Sequence, residues 1–165
     1  MNNFDKAYKD SYFSYHHRPI PVHTLDARMF IARDGLDPVL NEATQKHILY
    51  DIQAINELEA IGNRTRVLDY VMVGPVLEKS ANNNCNVYII VQLNTANLQD
   101  VLKERILNFT TKNLSSSKMN QRLLTGTGHP LHYKVSIRKI DLNDYPAAFH
   151  PYTNMWLKQP LILGK

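Results

Sequence analysis

Residues 67–93, VLDYVMVGPVLEKSANNNCNVYIIVQL, decide the fold. The stretch begins and ends with near-continuous runs of β-branched and aromatic residues, VLDYVMV and VYIIVQL, whose lengths are typical of strands. Strands that are buried on both faces have this continuous pattern, whereas half-exposed strands alternate. The two runs therefore predict two central strands of a sheet, separated by a Gly-Pro turn, a short VLEKS segment and the polar run ANNNCN.

One helix is predicted before these strands and one after them. The first has Asp37 as a cap, Pro38 at the favoured first helical position and Gly62 as a natural stop. The second is capped by Thr95 or Asn97. Apolar residues recur at helical spacing in both segments. These residues are Ile48, Ile52, Ile55 and Leu58 in the first helix, and Leu98, Val101, Leu102, Ile106 and Phe109 in the second.

The C-terminal part of the chain predicts one further strand. LHYKVSIRKI, residues 131–140, alternates apolar and polar side chains, as a strand with one buried face does, and RLLTGTGHP before it is typical of a turn. The tail, residues 141–160, is predicted to pack over the sheet as a short helix or loop. The order of these elements predicts an α+β fold, a small mixed β-sheet with helices packed against it.

Residues 1–35 are predicted to form an extended N-terminal arm before a domain spanning residues 36–165. Aromatic residues recur at helical spacing near the start, and two prolines then favour extended chain. An exposed aromatic stripe of this kind marks protein interfaces, whereas packing on the domain's own core is the alternative interpretation. The partner-binding residues predicted for the arm are Phe4, Tyr8, Tyr12, Tyr15 and Arg18.

Composition limits the classes of function. The chain of 165 residues is 44% hydrophobic and 21% charged, as in an ordinary globular domain, and it has no apolar run long enough to span a membrane. Its formal charge of +4 is spread along the sequence and only weakly favours an anionic partner. The single cysteine, Cys85, cannot form an internal disulfide and is predicted to be buried and inert.

The turn between the two central strands resembles a known catalytic motif. In the polymerase-beta-like nucleotidyltransferases a strand is followed by Gly-Ser, about ten residues, and Asp-x-Asp leading into an apolar strand. The matching positions here are Gly74, Pro75, Asn84 and Asn86. Residues 36–52 and the segments GTGHPLHYKV and NMWLKQP are similar to elements of the small predicted nucleotidyltransferases of tailed bacteriophages. The resemblance covers about residues 36–160.

In that superfamily the two aspartates and a third carboxylate hold two divalent metals that bind the nucleotide phosphates. Here the first two positions are asparagines, and the third falls near His132. Each lost charge is worth on the order of several kcal/mol at a few ångströms, even at an effective dielectric constant near 20. Pro75 supplies neither the hydroxyl nor the backbone N–H of the family's serine. The resemblance therefore implies the fold without catalysis, metal or cofactor.

These observations predict a catalytically inactive, nucleotidyltransferase-like protein that is a structural or assembly component. The phage resemblance suggests a tailed-phage virion (neck, tail or baseplate) or the host cytoplasm, and the arm suggests other protein subunits as partners in an oligomeric assembly. One alternative is a metal-dependent nucleotidyltransferase that uses relocated carboxylates such as Asp69 or Glu78. Another is a non-catalytic nucleic-acid-binding module with a basic surface. That surface would include Lys118, Arg122, Lys134, Arg138 and Lys139.

His129 and His132 have a spacing that zinc sites use, but they have no Cys or further His nearby in sequence to complete four ligands. They are predicted to be a turn histidine and a surface histidine.

Overall fold

The structure is a computed structural model that describes residues 25–78, 85–117, 119–120 and 122–160. Within these ranges the chain forms a two-stranded hairpin, a five-stranded mixed sheet and two α-helices that pack against the sheet. This arrangement confirms the predicted α+β class. The helices are α1 (Glu42–Gly62) and α2 (Asp100–Ser116), and the strands are β1 (Phe30–Arg33), β2 (Leu36–Leu40), β3 (Val67–Val73), β4 (Val87–Leu93), β5 (Leu131–Ser136), β6 (Ala148–His150) and β7 (Met155–Lys158).

The five-stranded sheet has the order β5-β4-β3-β6-β7. Strands β3 and β4 are antiparallel neighbours at its centre, and β4 pairs with β5 in parallel. The two central strands predicted from sequence have the bounds of the two apolar runs. The late strand is also confirmed, although it ends at Ser136 rather than continuing to residue 140.

Both faces of β4 and of the second half of β3 are covered, whereas Leu68 near the start of β3 is 50% exposed. Met72, Ile89 and Val91 point into the main core, where Ile48 and Ile55 of α1 are fully buried. The opposite face carries a smaller apolar cluster, because successive side chains of a strand point to opposite faces. That cluster contains Val71, Val73, Ile90 and Ala148, with Ile140, Leu142, Tyr145 and Leu157 packed against it.

Helix α1 starts later than the sequence predicts. Residues 36–40 form β2, which pairs with β1, and the helix begins at Glu42 after Asn41, whose side chain accepts a hydrogen bond from the Thr44 N–H (2.8 Å). Pro38 is tolerated in β2 because this strand pairs only with β1. The other edge of β2 has no partner strand and therefore needs no N–H donors, which proline lacks. Its carbonyl accepts a hydrogen bond from Trp156 Nε1 (3.0 Å). The prediction that Asp37 caps the helix is therefore wrong.

The apolar stripe predicted for α2 is also partly wrong. Val101 is 70% exposed and Phe109 40% exposed, whereas the buried residues of the helix are Ile106, Thr110 and Leu114. Neither predicted cap is used, since Gln99 precedes the first helical residue. Thr110 faces inward because its hydroxyl donates a hydrogen bond to Glu59 Oε1. The buried stripe thus includes a polar residue, which apolar periodicity cannot detect.

The C-terminal tail adds strands rather than the predicted short helix or loop. After a single turn of 3₁₀ helix (Leu142–Asp144), β6 pairs with β3, and β7 pairs with β6 at the sheet edge. Trp156 of β7 contacts the rings of Phe149 and Phe30, with centroids 5.2 and 5.7 Å apart. These contacts join the edge of the sheet to the hairpin.

Residues 25–33, which the sequence assigns to the arm, contribute three side chains to the main core, whereas Ile31 is 49% exposed. Leu25, Met29 and Phe30 are buried there. The aromatic residues predicted for the arm, and Arg18, lie outside the described residues. Within the described ranges, neither α1 nor α2 combines the length and apolar character that a membrane-spanning helix needs.

Candidate functional site

The described positions of the nucleotidyltransferase-like motif meet at one end of the sheet. Gly74 follows β3, Asn86 precedes β4, and His132 is the second residue of β5. The register pairs Val73 with Tyr88 and Tyr88 with His132, so the three positions lie around Tyr88. Asn84 lies outside the described residues. The end of the sheet where these residues meet is referred to below as the Tyr88 cleft.

Tyr88 occupies the centre of this cleft. Its hydroxyl oxygen accepts a hydrogen bond from Asn86 Nδ2 (3.1 Å), and its ring stacks on that of His132, with centroids 5.5 Å apart and planes at 29°. The backbone of Gly74 lies directly against the ring. Tyr88 is not among the site residues predicted from the sequence, although its position two residues after Asn86 indicates that the two side chains point the same way.

The cleft lies on the sheet face that points away from the main core. Along β5, His132 and Lys134 point to this face, and Lys134 is exposed. Tyr133 points to the opposite face and is buried, as the alternation predicts. The groups around the cleft are thus an amide, a phenol, an imidazole and an ammonium, in place of the carboxylates that a two-metal site requires.

Pro75 begins a 3₁₀ helix of only three residues, Pro75–Leu77. Gly74 before it has φ 101° and ψ −173°, a backbone conformation that glycine adopts readily. The side chains of Val76 and Leu77 are buried in the main core. The segment after β3 therefore anchors the turn in the core, and proline contributes no N–H for an anion at its start.

The two acidic residues considered as relocated ligands do not meet at this cleft. Asp69 lies opposite Gln92, four residues along β3 from Val73, which corresponds to about 13 Å along the strand. Asp69 Oδ1 contacts His150 Nε2 (2.9 Å), and this hydrogen bond, opposed by partial burial, lowers the pKa of Asp69. Glu78 follows the 3₁₀ helix as its C-cap. Among the described residues, no three His, Cys, Asp or Glu side chains are grouped so that they could hold a metal ion.

His129 directly follows the turn at residues 125–128, and its side chain is fully buried, which the sequence did not predict. Its Nε2 lies 2.5 Å from Asp26 Oδ2, and its Nδ1 lies 2.7 Å from the carbonyl oxygen of Cys85. Cys85 is only partly buried, so the predicted burial of its thiol is wrong. The sequence offers no signal for the contact between Asp26 and His129, which are 103 residues apart.

The predicted basic surface is divided in the structure. Arg138 and Lys139 are exposed beyond the end of β5. Arg122 instead binds the buried carboxylate of Asp51, with 2.9 Å between Nη2 and Oδ1. Lys118 lies outside the described residues.

Comparison of the chain with protein-family models, with curated proteins and with solved structures found no match.

Proposed function

We propose that this chain is a catalytically inactive protein of nucleotidyltransferase-like fold that serves as a structural or assembly component. The observation that carries the proposal is the composition of the Tyr88 cleft. Asn86 and His132 stand at two of the three positions where the resembling family has carboxylates, and the Tyr88 ring lies between them. Mg²⁺ prefers anionic oxygen ligands, and an amide whose N–H₂ group donates to a tyrosine offers a single neutral carbonyl.

The proposal of an assembly role rests on the retained framework together with the aromatic arm. The chain keeps the two central strands and the core beneath them, while the charged groups of the motif are replaced. This combination favours the interpretation that selection maintained a stable domain shape rather than catalysis. A tailed-phage virion is the setting that the sequence resemblance suggests. Other subunits would bind the arm through Phe4, Tyr8, Tyr12, Tyr15 and Arg18.

Calorimetric titration with nucleoside triphosphates and Mg²⁺ or Mn²⁺ tests the loss of catalysis. The unaltered protein is expected to give no metal-dependent binding, because the cleft lacks the anionic ligands. A double variant, Asn84→Asp with Asn86→Asp, is expected to acquire such binding, since it restores carboxylates at two of the three positions where the resembling family has them. Metal-dependent nucleotide binding by the unaltered protein would contradict the proposal.

A matched control separates the effect of position from that of charge. Asn108 and Gln53 are exposed on α2 and α1, whose buried residues belong to the main core on the sheet face opposite the cleft, and Asn108→Asp with Gln53→Glu adds the same two negative charges. This control is expected to behave as the unaltered protein does. Equal gains of binding in both double variants would show that overall charge, rather than the cleft, attracts the metal.

A non-catalytic nucleic-acid-binding role is the second candidate, and the stacked pair of Tyr88 and His132 favours it. The pair shares its sheet face with the exposed Lys134, and aromatic rings beside cationic side chains are what single-stranded nucleic acids bind.

Fluorescence anisotropy with a labelled single-stranded oligonucleotide tests this second candidate. If the surface binds, Tyr88→Ala is expected to weaken affinity roughly 5- to 100-fold, which corresponds to the loss of one stacking contact. Tyr50→Ala is the matched control, because Tyr50 is 73% exposed on α1. Absence of binding at 50 mM salt, or equal affinities of the two variants, would exclude the Tyr88 surface as a nucleic-acid site.

A further inference from the structure

A group of exposed basic side chains surrounds an exposed aromatic ring where the end of α1 lies beside α2. The basic residues, all of them exposed, are Arg64 and Arg66 in the loop after α1 and Arg105 and Lys112 on α2. Phe109 of α2 is 40% exposed. Positions 105, 109 and 112 follow helical spacing, so their side chains are neighbours on the helix surface. This group is referred to below as the Phe109 surface.

Contacts between the loop and α2 bring the two halves of this surface together. The edge of the Phe109 ring lies against the backbone of Gly62, where a Cβ atom would be 2.9 Å from Cε1 and 3.1 Å from Cζ. Asn63 Nδ2 donates a hydrogen bond to Thr110 Oγ1 (3.4 Å). Arg64 directly follows these two contacts in the chain, so its backbone lies beside α2.

The acidic side chains are separated from this surface. At about 100° per residue, Arg105 and Lys112 lie about 40° and 60° around the helix axis from Phe109. Glu104 lies about 140° from Phe109. Glu59, the carboxylate nearest to the loop, is fully buried and accepts hydrogen bonds from neutral side chains. Within the described parts of the chain, none of the four cations forms an ion pair, so their charges are available to an anionic partner.

Arg64 has a backbone conformation that is unfavourable for arginine. Its φ of 55° lies in the left-handed region, which glycine usually occupies at the end of a helix. The Thr65 N–H bonds back to the Glu59 carbonyl (3.1 Å) around this position. In the described structure the Arg64 side chain makes no hydrogen bond or ion pair that would offset the strain. A strained, exposed arginine at a position suited to glycine indicates that its guanidinium makes a contact outside the chain.

We propose that the Phe109 surface binds single-stranded nucleic acid, with phosphates on the four cations and a base stacked on the Phe109 ring. Cations placed around an exposed aromatic ring bind single strands without reading their sequence. The ring favours a nucleic acid over an acidic protein, because every base has a π-face that stacks on it.

The Phe109 surface is separate from the Tyr88 cleft. The loop that carries Arg64 and Arg66 precedes Val67, whereas Val73 at the other end of β3 pairs with Tyr88. These two ends of β3 are about 20 Å apart along the strand. The proposal therefore does not rest on the function proposed for the cleft.

Fluorescence anisotropy with a labelled oligothymidylate at low salt tests the Phe109 surface. Phe109→Ala is expected to weaken affinity roughly 5- to 100-fold, which corresponds to the loss of one stacked base. Phe109→Leu keeps an apolar side chain against Gly62, is expected to act in the same direction, and serves if the alanine variant does not fold. Tyr50→Ala, on α1, is the matched control and is expected to leave affinity unchanged.

The salt dependence of the same affinity tests the cations. Four phosphate contacts predict that log K falls with log salt concentration with a slope of about −3. Arg64→Gly is expected to make this slope shallower by about 0.7. The same variant is expected to raise the midpoint of urea denaturation, because glycine adopts the left-handed conformation without strain. Lys46→Gln removes a cation about 24 Å away along α1 and is expected to leave the slope unchanged.

Three outcomes would overturn the proposal. The first is absence of binding by the unaltered protein. The second is loss of affinity in Tyr88→Ala with none in either Phe109 variant, which would place the nucleic-acid site in the Tyr88 cleft instead. The third is an equal change of slope in Arg64→Gly and Lys46→Gln, which would show that overall charge rather than this surface attracts the strand.

Discussion

Replacing Asp51 with alanine is expected to lower the free energy of unfolding by about 3–5 kcal/mol, among the largest effects of any single change in this fold. Asp51 is 1% exposed. Its Oδ1 accepts a hydrogen bond from Arg122 Nη2 (2.9 Å) and its Oδ2 accepts one from the Tyr133 hydroxyl (2.7 Å). His47 Nε2 lies 3.4 Å from the same Oδ2. Alanine would leave the buried Tyr133 hydroxyl without its acceptor, and the Arg122 guanidinium, whose side chain is 47% exposed, without its carboxylate partner.

A substitution at Tyr133 separates the contribution of the hydrogen bond to stability from that of the packing around the ring. Tyr133→Phe keeps the ring in the core and removes only the donor, with an expected cost of about 1–2 kcal/mol. The double variant, Asp51→Ala with Tyr133→Phe, is expected to be more stable than the sum of the two single losses in unfolding free energy predicts, because no buried hydroxyl is left unpaired. Urea denaturation of the four proteins measures this coupling.

Glu42→Ala is the matched control for Asp51→Ala. Glu42 lies on the same helix and forms an ion pair with Lys46, but both side chains are more than 70% exposed. Its removal is expected to change stability little, since exposed pairs contribute little. Equal effects of Asp51→Ala and Glu42→Ala, or additive losses for Asp51→Ala and Tyr133→Phe, would show that the Asp51 hydrogen bonds are unimportant for stability.

The central part of the fold could be predicted because its sequence signal is physical and local. The apolar runs VLDYVMV and VYIIVQL reflect strands β3 and β4, whose two faces are both covered along β4 and along the second half of β3. The alternation in β5 reports one buried face in the same way. In each case the order of apolar and polar residues along a strand matches the pattern of its burial.

The hairpin and the tail could not be predicted because local signals conflict with distant contacts there. Asp37 and Pro38 resemble the start of a helix, yet the carbonyl of Pro38 binds Trp156, 118 residues away. Strand β6 has only three residues and is stabilised by pairing with β3. Short elements of this kind depend on tertiary partners that no local pattern specifies.

The candidate site could likewise be predicted only in part. Asn86 and His132 lie at the same end of the sheet because β4 and β5, which begin next to these residues, pair in parallel. The stacking of Tyr88 on His132 depends on the register between these strands, which the sequence does not reveal. The contact of Asp26 with His129 depends on packing between segments 103 residues apart.

Gly74→Ala is expected to lower the free energy of unfolding by about 3–4 kcal/mol, from two separate causes. The backbone at Gly74 has φ 101° and ψ −173°, a region that is essentially restricted to glycine. A Cβ atom there would also lie 2.8 Å from Cδ2 of Tyr88, inside van der Waals contact. Urea denaturation measures the loss, and a change below about 1 kcal/mol would contradict this account of the turn.

Two comparisons separate backbone strain from the steric clash. Gly126→Ala introduces a side chain at φ +79° with no atom within 4 Å, so its expected cost is only the strain, about 1–2 kcal/mol. In a Tyr88→Ala background the ring is gone, and Gly74→Ala is expected to cost about 1–2 kcal/mol less than in the unaltered protein. If the losses of unfolding free energy from Gly74→Ala and Tyr88→Ala are additive, the Tyr88 ring moves aside at no cost in free energy. A positive coupling would instead establish that glycine is required at this position because the Tyr88 ring lies against its backbone.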